Sequence, residues 1–236
     1  MRKYCDSLTA YARAATRPVA VGSVVIGGGN PVRIQSMTNT DTNDTEASAA
    51  QVRRIAGAGG EIVRLTAQGR REAANLAAIR ARLREEGCSV PLVADIHFVP
   101  EAALVAAENV EKVRINPGNF NDRGGQFDRL VALCREHGTA LRIGVNHGSL
   151  SAAVMERYGD TPEGMVASAV EYLGLCRERG FDPVVVSLKS SNVRVMVQAY
   201  RLLAAEMRER SWDYPLHLGV TEAGDDMEGR IKSAVG

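Results

Sequence analysis

In two stretches of the chain a guanidinium and a carboxamide stand on one face of an extended segment. VRINPGN carries Arg114 and Asn116, and LRIGVN carries Arg142 and Asn146 with Gly144 between them. At a spacing of two, side chains on a strand point the same way. Pro117 and Gly118 stop the first segment directly after its asparagine. Such groups at a strand tip suit an oxyanion, and a plain core does not choose them. Polar groups recur at other expected strand ends: Arg64 and Thr66, Asp95 and His97, Ser187 and Lys189, and Glu222.

Within this set Arg64, Arg114, Arg142 and Lys189 face only Asp95 and Glu222. An excess of fixed cations suits a substrate with more than one phosphate, held by bidentate arginine contacts. Asn116 and Asn146 can orient a hydroxyl or a phosphate oxygen. His97, on the same face as Asp95, can donate to a substrate oxygen or move a proton. Glu222 is the acid/base candidate, because it ends a strand beside the glycine-bearing loop EAGDDMEG. The structural alternative is that the arginines pair with Asp95 and Glu222 to hold a rim, and that the asparagines cap turns. His147 lies in a loop at the same end. His217 reads as a structural residue at the far end of its strand, and His137 as a charge partner at a helix end.

The elements that position these residues alternate strictly. Residues 33–37, 61–66, 91–95, 112–116, 140–145, 183–188 and 216–221 read as strands. Helices follow from Thr45 as N-cap, over 70–86, from Pro100, over 125–137, over 151–157 and again from Thr161, over 192–210 and over 230–235. Gly87, Gly138 and Gly180 stand just past helix ends. Strand–helix alternation means a parallel sheet with right-handed crossovers. Polar groups at nearly every strand tip favour closure into a TIM-type (β/α)8 barrel over an open sheet, because closure brings all tips to one mouth. Seven β–α units are legible, so the eighth strand is expected to lie beyond residue 236. Residues 1–32 read as a lead-in and a β-hairpin, and 33–236 as the barrel. Gly27, Gly28, Gly29, Asn30 and Pro31 form the hairpin's turn in this reading. A strand and not a helix follows them, which removes the helix N-terminus a phosphate loop needs.

Composition agrees. The 236 residues hold 29 Lys+Arg against 28 Asp+Glu, a net charge of +1, which gives no electrostatic case for nucleic acid or an anionic membrane. Hydrophobic residues make up 45% and aromatics only 5%, so Ala, Val, Ile and Leu carry the core, as parallel strands and their helices prefer. Cys5, Cys88, Cys134 and Cys176 form no CxxC pair and read as reduced, structural thiols. No apolar run approaches a membrane span and the N-terminus lacks a signal-peptide core, so the cytoplasm is the expected compartment.

The motifs QSMTNTDTNDT, VPLVADIHF, VRINPGN, LRIGVNHGSL, VSLKSSNV, YRLLA and PLHLGVTEAG resemble the barrel domain of the 4-hydroxy-3-methylbut-2-enyl diphosphate synthases of the non-mevalonate isoprenoid pathway. The resemblance runs from about Arg17 onward. DTNDT, NPGNFNDR and GRIKSAVG are closer to the three-domain variant. The resemblance implies reductive ring opening and dehydration of 2-C-methyl-D-erythritol 2,4-cyclodiphosphate. It also implies a 4Fe–4S cluster fed by ferredoxin or flavodoxin, and a homodimer in which one chain's cluster domain covers the other's barrel. Arg64, Arg114, Asn116, Arg142, Asn146 and Lys189 match the family's substrate-binding positions, Asp95 and His97 its DIH motif, and Glu222 its TEAG motif. The family's cluster ligands, three cysteines and a glutamate of a separate domain, have no counterpart here. The expectation is therefore an isolated barrel, inactive alone. A pterin-binding barrel of the dihydropteroate synthase type and a non-catalytic phosphate-binding module are the alternatives.

Overall fold

The fold is given by a computed structural model that describes residues 3–120, 122 and 124–236. Met1 and Arg2 of the lead-in, and Asn121 and Arg123 of NPGNFNDR, lie outside the described residues.

A two-stranded antiparallel hairpin comes first, β1 (Val19–Val21) and β2 (Val24–Ile26). Its reversal falls at Gly22 and Ser23, with Gly22 in the left-handed region at φ 57°. The sequence reading placed the turn at Gly27, Gly28 and Gly29; these instead carry the chain from the hairpin into the sheet. Six parallel strands follow in consecutive order: β3 (Gln35–Met37), β4 (Ile62–Ala67), β5 (Leu92–Ile96), β6 (Lys112–Ile115), β7 (Ala140–Asn146) and β8 (Val184–Lys189). Between and after them run α1 (Thr45–Gly57), α2 (Arg70–Glu85), α3 (Pro100–Ala107), α4 (Gln126–His137), α5 (Ala152–Tyr158), α6 (Pro162–Glu178), α7 (Val193–Glu209) and α8 (Asp226–Val235). This is the expected α/β barrel architecture with its N-terminal hairpin.

Local chemistry explains most helix boundaries. Thr161 accepts from Gly164 N and Asn192 from Arg194 N, so both cap as side-chain acceptors at an N-terminus do. α1 is capped one residue earlier than expected: Asp44, and not Thr45, accepts from Ala47 N, and Thr45 turns toward Asn75.

The outward sheet face packs under the helices. Val63, Leu65, Leu92 and Ala94 meet Leu76, Ile79 and Leu83 of α2 in one core. Inside the barrel a second apolar layer of Ile62, Val93, Ala140 and Val185 closes on Val19 and Val21 of the hairpin. The hairpin is thus a floor. It seals the end where the strands start and leaves the other end open.

The expected seventh strand over 216–221 shrinks to one parallel bridge, Val186 with Leu216. Val186 N donates to Pro215 O at 3.1 Å and His217 N to Val186 O at 2.9 Å. A continued ladder would next join Leu188 N to His217 O. The Tyr200 hydroxyl of α7 sits there instead. It accepts from Leu188 N at 3.1 Å and donates to His217 O. Beyond this point the segment leaves β8. The sequence signalled strand by alternation and β-branching, whereas pairing was decided by a side chain from another element.

Candidate active site

Strand register sets the mouth. Parallel partners share a face, and Met37 pairs with Arg64, Thr66 with Asp95, Asp95 with Arg114, Arg114 with Arg142, and Asn146 with Lys189. A cavity of about 350 Å³ opens at this end. All nine residues singled out in the sequence line it: Arg64, Asp95, His97, Arg114, Asn116, Arg142, Asn146, Lys189 and Glu222. Met37, Phe98, Asn119, Ser149 and Thr221 also line it and were not picked as site residues. A larger cavity, about 610 Å³, lies at the hairpin end beside Arg17, Cys134 and Phe181. There Arg17 is already paired with Asp182 and Asp213. Uncompensated charge, and not size, marks the site.

Asp95, 2% exposed, is the hub. Its carboxylate accepts from Arg114 Nη1 at 2.8 Å, lies 3.5 Å from Arg64 Nε and 3.3 Å from His97 Nε2. Burial alone would push this carboxyl up. The His97 hydrogen bond and the charges of Arg114, Arg64 and Arg142 outweigh it and hold the group well below the usual carboxylate range. The rim-pairing alternative is therefore partly right: Asp95 neutralises Arg114. It does not extend to Arg142 or Lys189, which have no carboxylate partner within ion-pair distance among the described residues.

Arg142 is fully buried. Its Nε donates to Ser187 Oγ at 2.8 Å, while Nη1 and Nη2 have no hydrogen-bond partner. A buried guanidinium with unmet donors is costly unless an anion completes it. Burial and the neighbouring charges of Arg114 and Arg64 hold its pKa well below the ordinary value. Arg114 crosses the β7 backbone, with Nη2 donating to Gly144 O at 2.8 Å. A Cβ at position 144 would come 2.5 Å from Arg114 Nε, which is why a glycine stands between the arginine and asparagine of LRIGVN. Arg64 Nε and Nη2 lie 3.2 and 2.7 Å from Met37 Sδ, a weak acceptor, with Asp95, shared with Arg114, at 3.5 Å from Nε.

The asparagines divide. Asn116 donates to Ser149 Oγ at 2.9 Å and accepts from Gly118 N at 3.2 Å, so it does act as a turn cap. Asn146 keeps its Oδ1 buried and without a partner, so its amide is free to meet a ligand group. Glu222 lines the cavity in the left-handed region, at φ 49°. His147 turns away to Asp160, 3.2 Å from its carbonyl, and does not line the cavity. His137 lies in the last turn of α4, as expected.

Two interior groups were missed. Lys112 is fully buried on the same face as Arg114, one level deeper, with Nζ donating to Gln35 Oε1 at 3.2 Å. Its place in the strand pattern was readable, since it stands two residues before Arg114. His217 was read as a far-end structural residue; the structure instead turns it into the barrel interior. Burial and the charges of Arg142, Lys189, Lys112 and Arg64 hold it neutral, well below the usual histidine range.

Lys189 is lowered to about 7 by burial and by Arg142, Arg64 and Arg114. A bound polyanion reverses that balance and raises it. Pyrophosphate, if it occupies this mouth, is therefore expected to bind at pH 8 with proton uptake, and with affinity that falls as pH rises from about 7 toward 10. Calorimetry in buffers of different ionisation enthalpy reads this directly. Binding without proton uptake would mean that Lys189 does not face the anion.

These observations define a parallel α/β barrel, floored by a hairpin, whose mouth holds more fixed cations than carboxylates. The chain belongs to the GcpE TIM-barrel domain family, whose model matches residues 16–236. It is 52% identical to the 4-hydroxy-3-methylbut-2-en-1-yl diphosphate synthase (flavodoxin) of Akkermansia muciniphila, over 99% of this chain and 44% of that protein. It is 48% identical to the ferredoxin-type chloroplastic synthase of Oryza sativa subsp. japonica, over 100% of this chain and 34% of that protein. The chain thus spans less than half the length of these curated relatives. Among solved structures, dihydropteroate synthase from Xanthomonas albilineans superposes with a TM-score of 0.59 at 14% identity, over 93% of this chain and 87% of that one. At that identity the likeness shows the barrel fold alone and does not revive the pterin reading.

Proposed function

We propose that this barrel is the substrate-holding part of a 4-hydroxy-3-methylbut-2-enyl diphosphate synthase and receives 2-C-methyl-D-erythritol 2,4-cyclodiphosphate. The observation that carries the reading is Arg142, fully buried with Nη1 and Nη2 unpartnered beside Arg114, Arg64 and Lys189. Phosphate oxygens supply the missing acceptors. Arg114 and Arg142 grip the diphosphate from adjacent strands, Arg64 and Lys189 add charge at the sides, and Asn146 orients a hydroxyl. In the reaction the ring opens at a C–O bond, electrons and protons are taken up, and a hydroxyl leaves as water. Glu222 is placed to protonate that hydroxyl, with Asp95 holding Arg114 and His97 in position.

Electrons reach such a substrate through a 4Fe–4S cluster, with flavodoxin or ferredoxin as donor. The residues of this chain do not fit that group. Cys134 and Cys176 are buried in the helix–sheet core with thiols pushed up to about 12 by burial, and neither lines the mouth. Among the described residues no three His, Cys, Asp or Glu side chains come together as a metal site. In this reading the cluster is held by another part of the enzyme. A cytoplasmic homodimer, with the cluster part of one subunit over the barrel of the other, completes the proposal. No helix of the described residues is long and apolar enough to cross a membrane.

Arg114→Ala and Arg142→Met test the grip. Each removes a charge-assisted contact of about 1.5–3 kcal/mol, which is about 10- to 150-fold in Kd for the cyclic diphosphate. Calorimetry with unchanged affinity for both variants would end the assignment. A separate outcome concerns the cysteines. After anaerobic iron–sulfur reconstitution the 236-residue chain is expected to stay colourless and to show no reductive turnover. Stoichiometric bound iron would overturn the reading of Cys134 and Cys176.

A further inference from the structure

We infer that Tyr200 is a positioning residue for the reaction: its hydroxyl, inserted between β8 and the 216–222 segment, sets where Thr221 and Glu222 stand at the mouth. The inference rests on the reading of the mouth as the substrate site.

Leu188 N–H and His217 C=O face each other at the place where the next ladder hydrogen bond belongs. The Tyr200 hydroxyl accepts from the first and donates to the second. Both backbone groups are thus satisfied with an oxygen's width between them. A direct N–H to carbonyl bond would draw the two segments together by about the length of one hydrogen bond. The ring of Tyr200 is 8% exposed and packs in the helix–sheet core, so the hydroxyl is held by α7 and is not free to withdraw.

The displacement matters because the next residues of the chain run directly to the mouth. Two residues after His217, Gly219 passes Lys189 so closely that a Cβ there would lie 3.2 Å from Nζ. Thr221 and Glu222 then line the same cavity as Asp95 and Arg114. If the ladder closed, this passage would shift toward Lys189 and carry Glu222 with it. A misplacement near 1 Å at a reacting group can cost about 100-fold in rate. Beyond its single bridge the segment has no ladder; Leu216 and Val220 pack on the core, and the Tyr200 hydroxyl supplies the hydrogen bond that sets its distance from β8.

The test uses the full-length enzyme. Tyr200→Phe removes the bridging oxygen and keeps the ring. It is expected to lower kcat by about 10- to 100-fold with KM for the cyclic diphosphate within about threefold of the unsubstituted enzyme. Tyr200→p-aminophenylalanine keeps a group that both donates and accepts, and is expected to recover most of that loss. Gly219→Ala perturbs the same passage without touching Tyr200 and is expected to give the same kcat-selective loss, which keeps the inference testable if the Phe variant does not fold. Unchanged kcat in Tyr200→Phe, or a p-aminophenylalanine variant no better than Phe, would overturn it. An unchanged kcat in Gly219→Ala would do the same. If Arg114→Ala also binds normally, the site reading fails; if Arg114→Ala loses affinity while Tyr200→Phe is silent, only the inference fails.

Discussion

Glu222→Gln in the full-length enzyme is expected to lower kcat by about 10²- to 10⁴-fold while substrate KM stays within about tenfold. The carboxylate lines a cavity with Arg64, Arg114, Arg142 and Lys189, to which the proposal assigns the grip, so binding is expected to survive its loss. In the proposed reaction its part is to hand a proton to the leaving hydroxyl, which is a transition-state task and not a binding one. Its backbone supports the same view. Glu222 is one of the few non-glycine residues in the left-handed region, at φ 49°, and such strain costs about 1–3 kcal/mol and persists where position serves function. Gln keeps shape and hydrogen bonding but cannot transfer the proton. Steady-state kinetics on the purified variant decide this. A variant with normal kcat and a much raised KM would make Glu222 a binding group only.

Asp95→Asn is expected to destabilise the chain itself by about 3–5 kcal/mol, the cost of leaving a buried cation without its partner. Asp95 is the only buried carboxylate among the described residues, and Arg114 and Arg64 lie directly against it. Inorganic pyrophosphate is expected to restore part of the loss in the variant, because an anion at the mouth replaces the missing charge by mass action. The pH dependence has a fixed sign. The folded carboxyl is held below its unfolded value, so its stabilisation is complete above about pH 4 and is lost progressively as pH falls below that. Asp95→Asn removes this acid limb. Urea melts of both proteins between pH 3 and 8 test the pair of statements. Equal stability of the two at pH 7 would show that the arginines do not depend on Asp95.

Much of the site was legible before any fold was known. On a strand, a spacing of two fixes direction, so Arg114 with Asn116, and Arg142 with Asn146, had to share a face. Parallel strands feeding right-handed crossovers then had to bring those tips to one end. The strand-borne residues meet there because both rules are local or topological, while Glu222 reaches the same cavity although its expected strand keeps only one bridge. The family resemblance was legible for a related reason: its motifs lie at these same strand ends.

What the sequence could not decide depends on contacts across long separations. Direction along a strand does not say which cations find a carboxylate: Arg114 does, through a residue 19 positions away, and Arg142 does not. Nor does it give depth, which is set by the stagger of neighbouring strands and placed Lys112 and His217 among the interior charges. The alternation over 216–221 is a sound strand pattern. Pairing, however, needs partners, and a tyrosine hydroxyl from α7 occupies the position where the next partner would be. The sequence determined which strand-borne side chains face the mouth, because that is a property of a single strand. Tertiary structure alone decided how their charges are balanced and where Glu222 stands, because both depend on packing between elements distant in the chain.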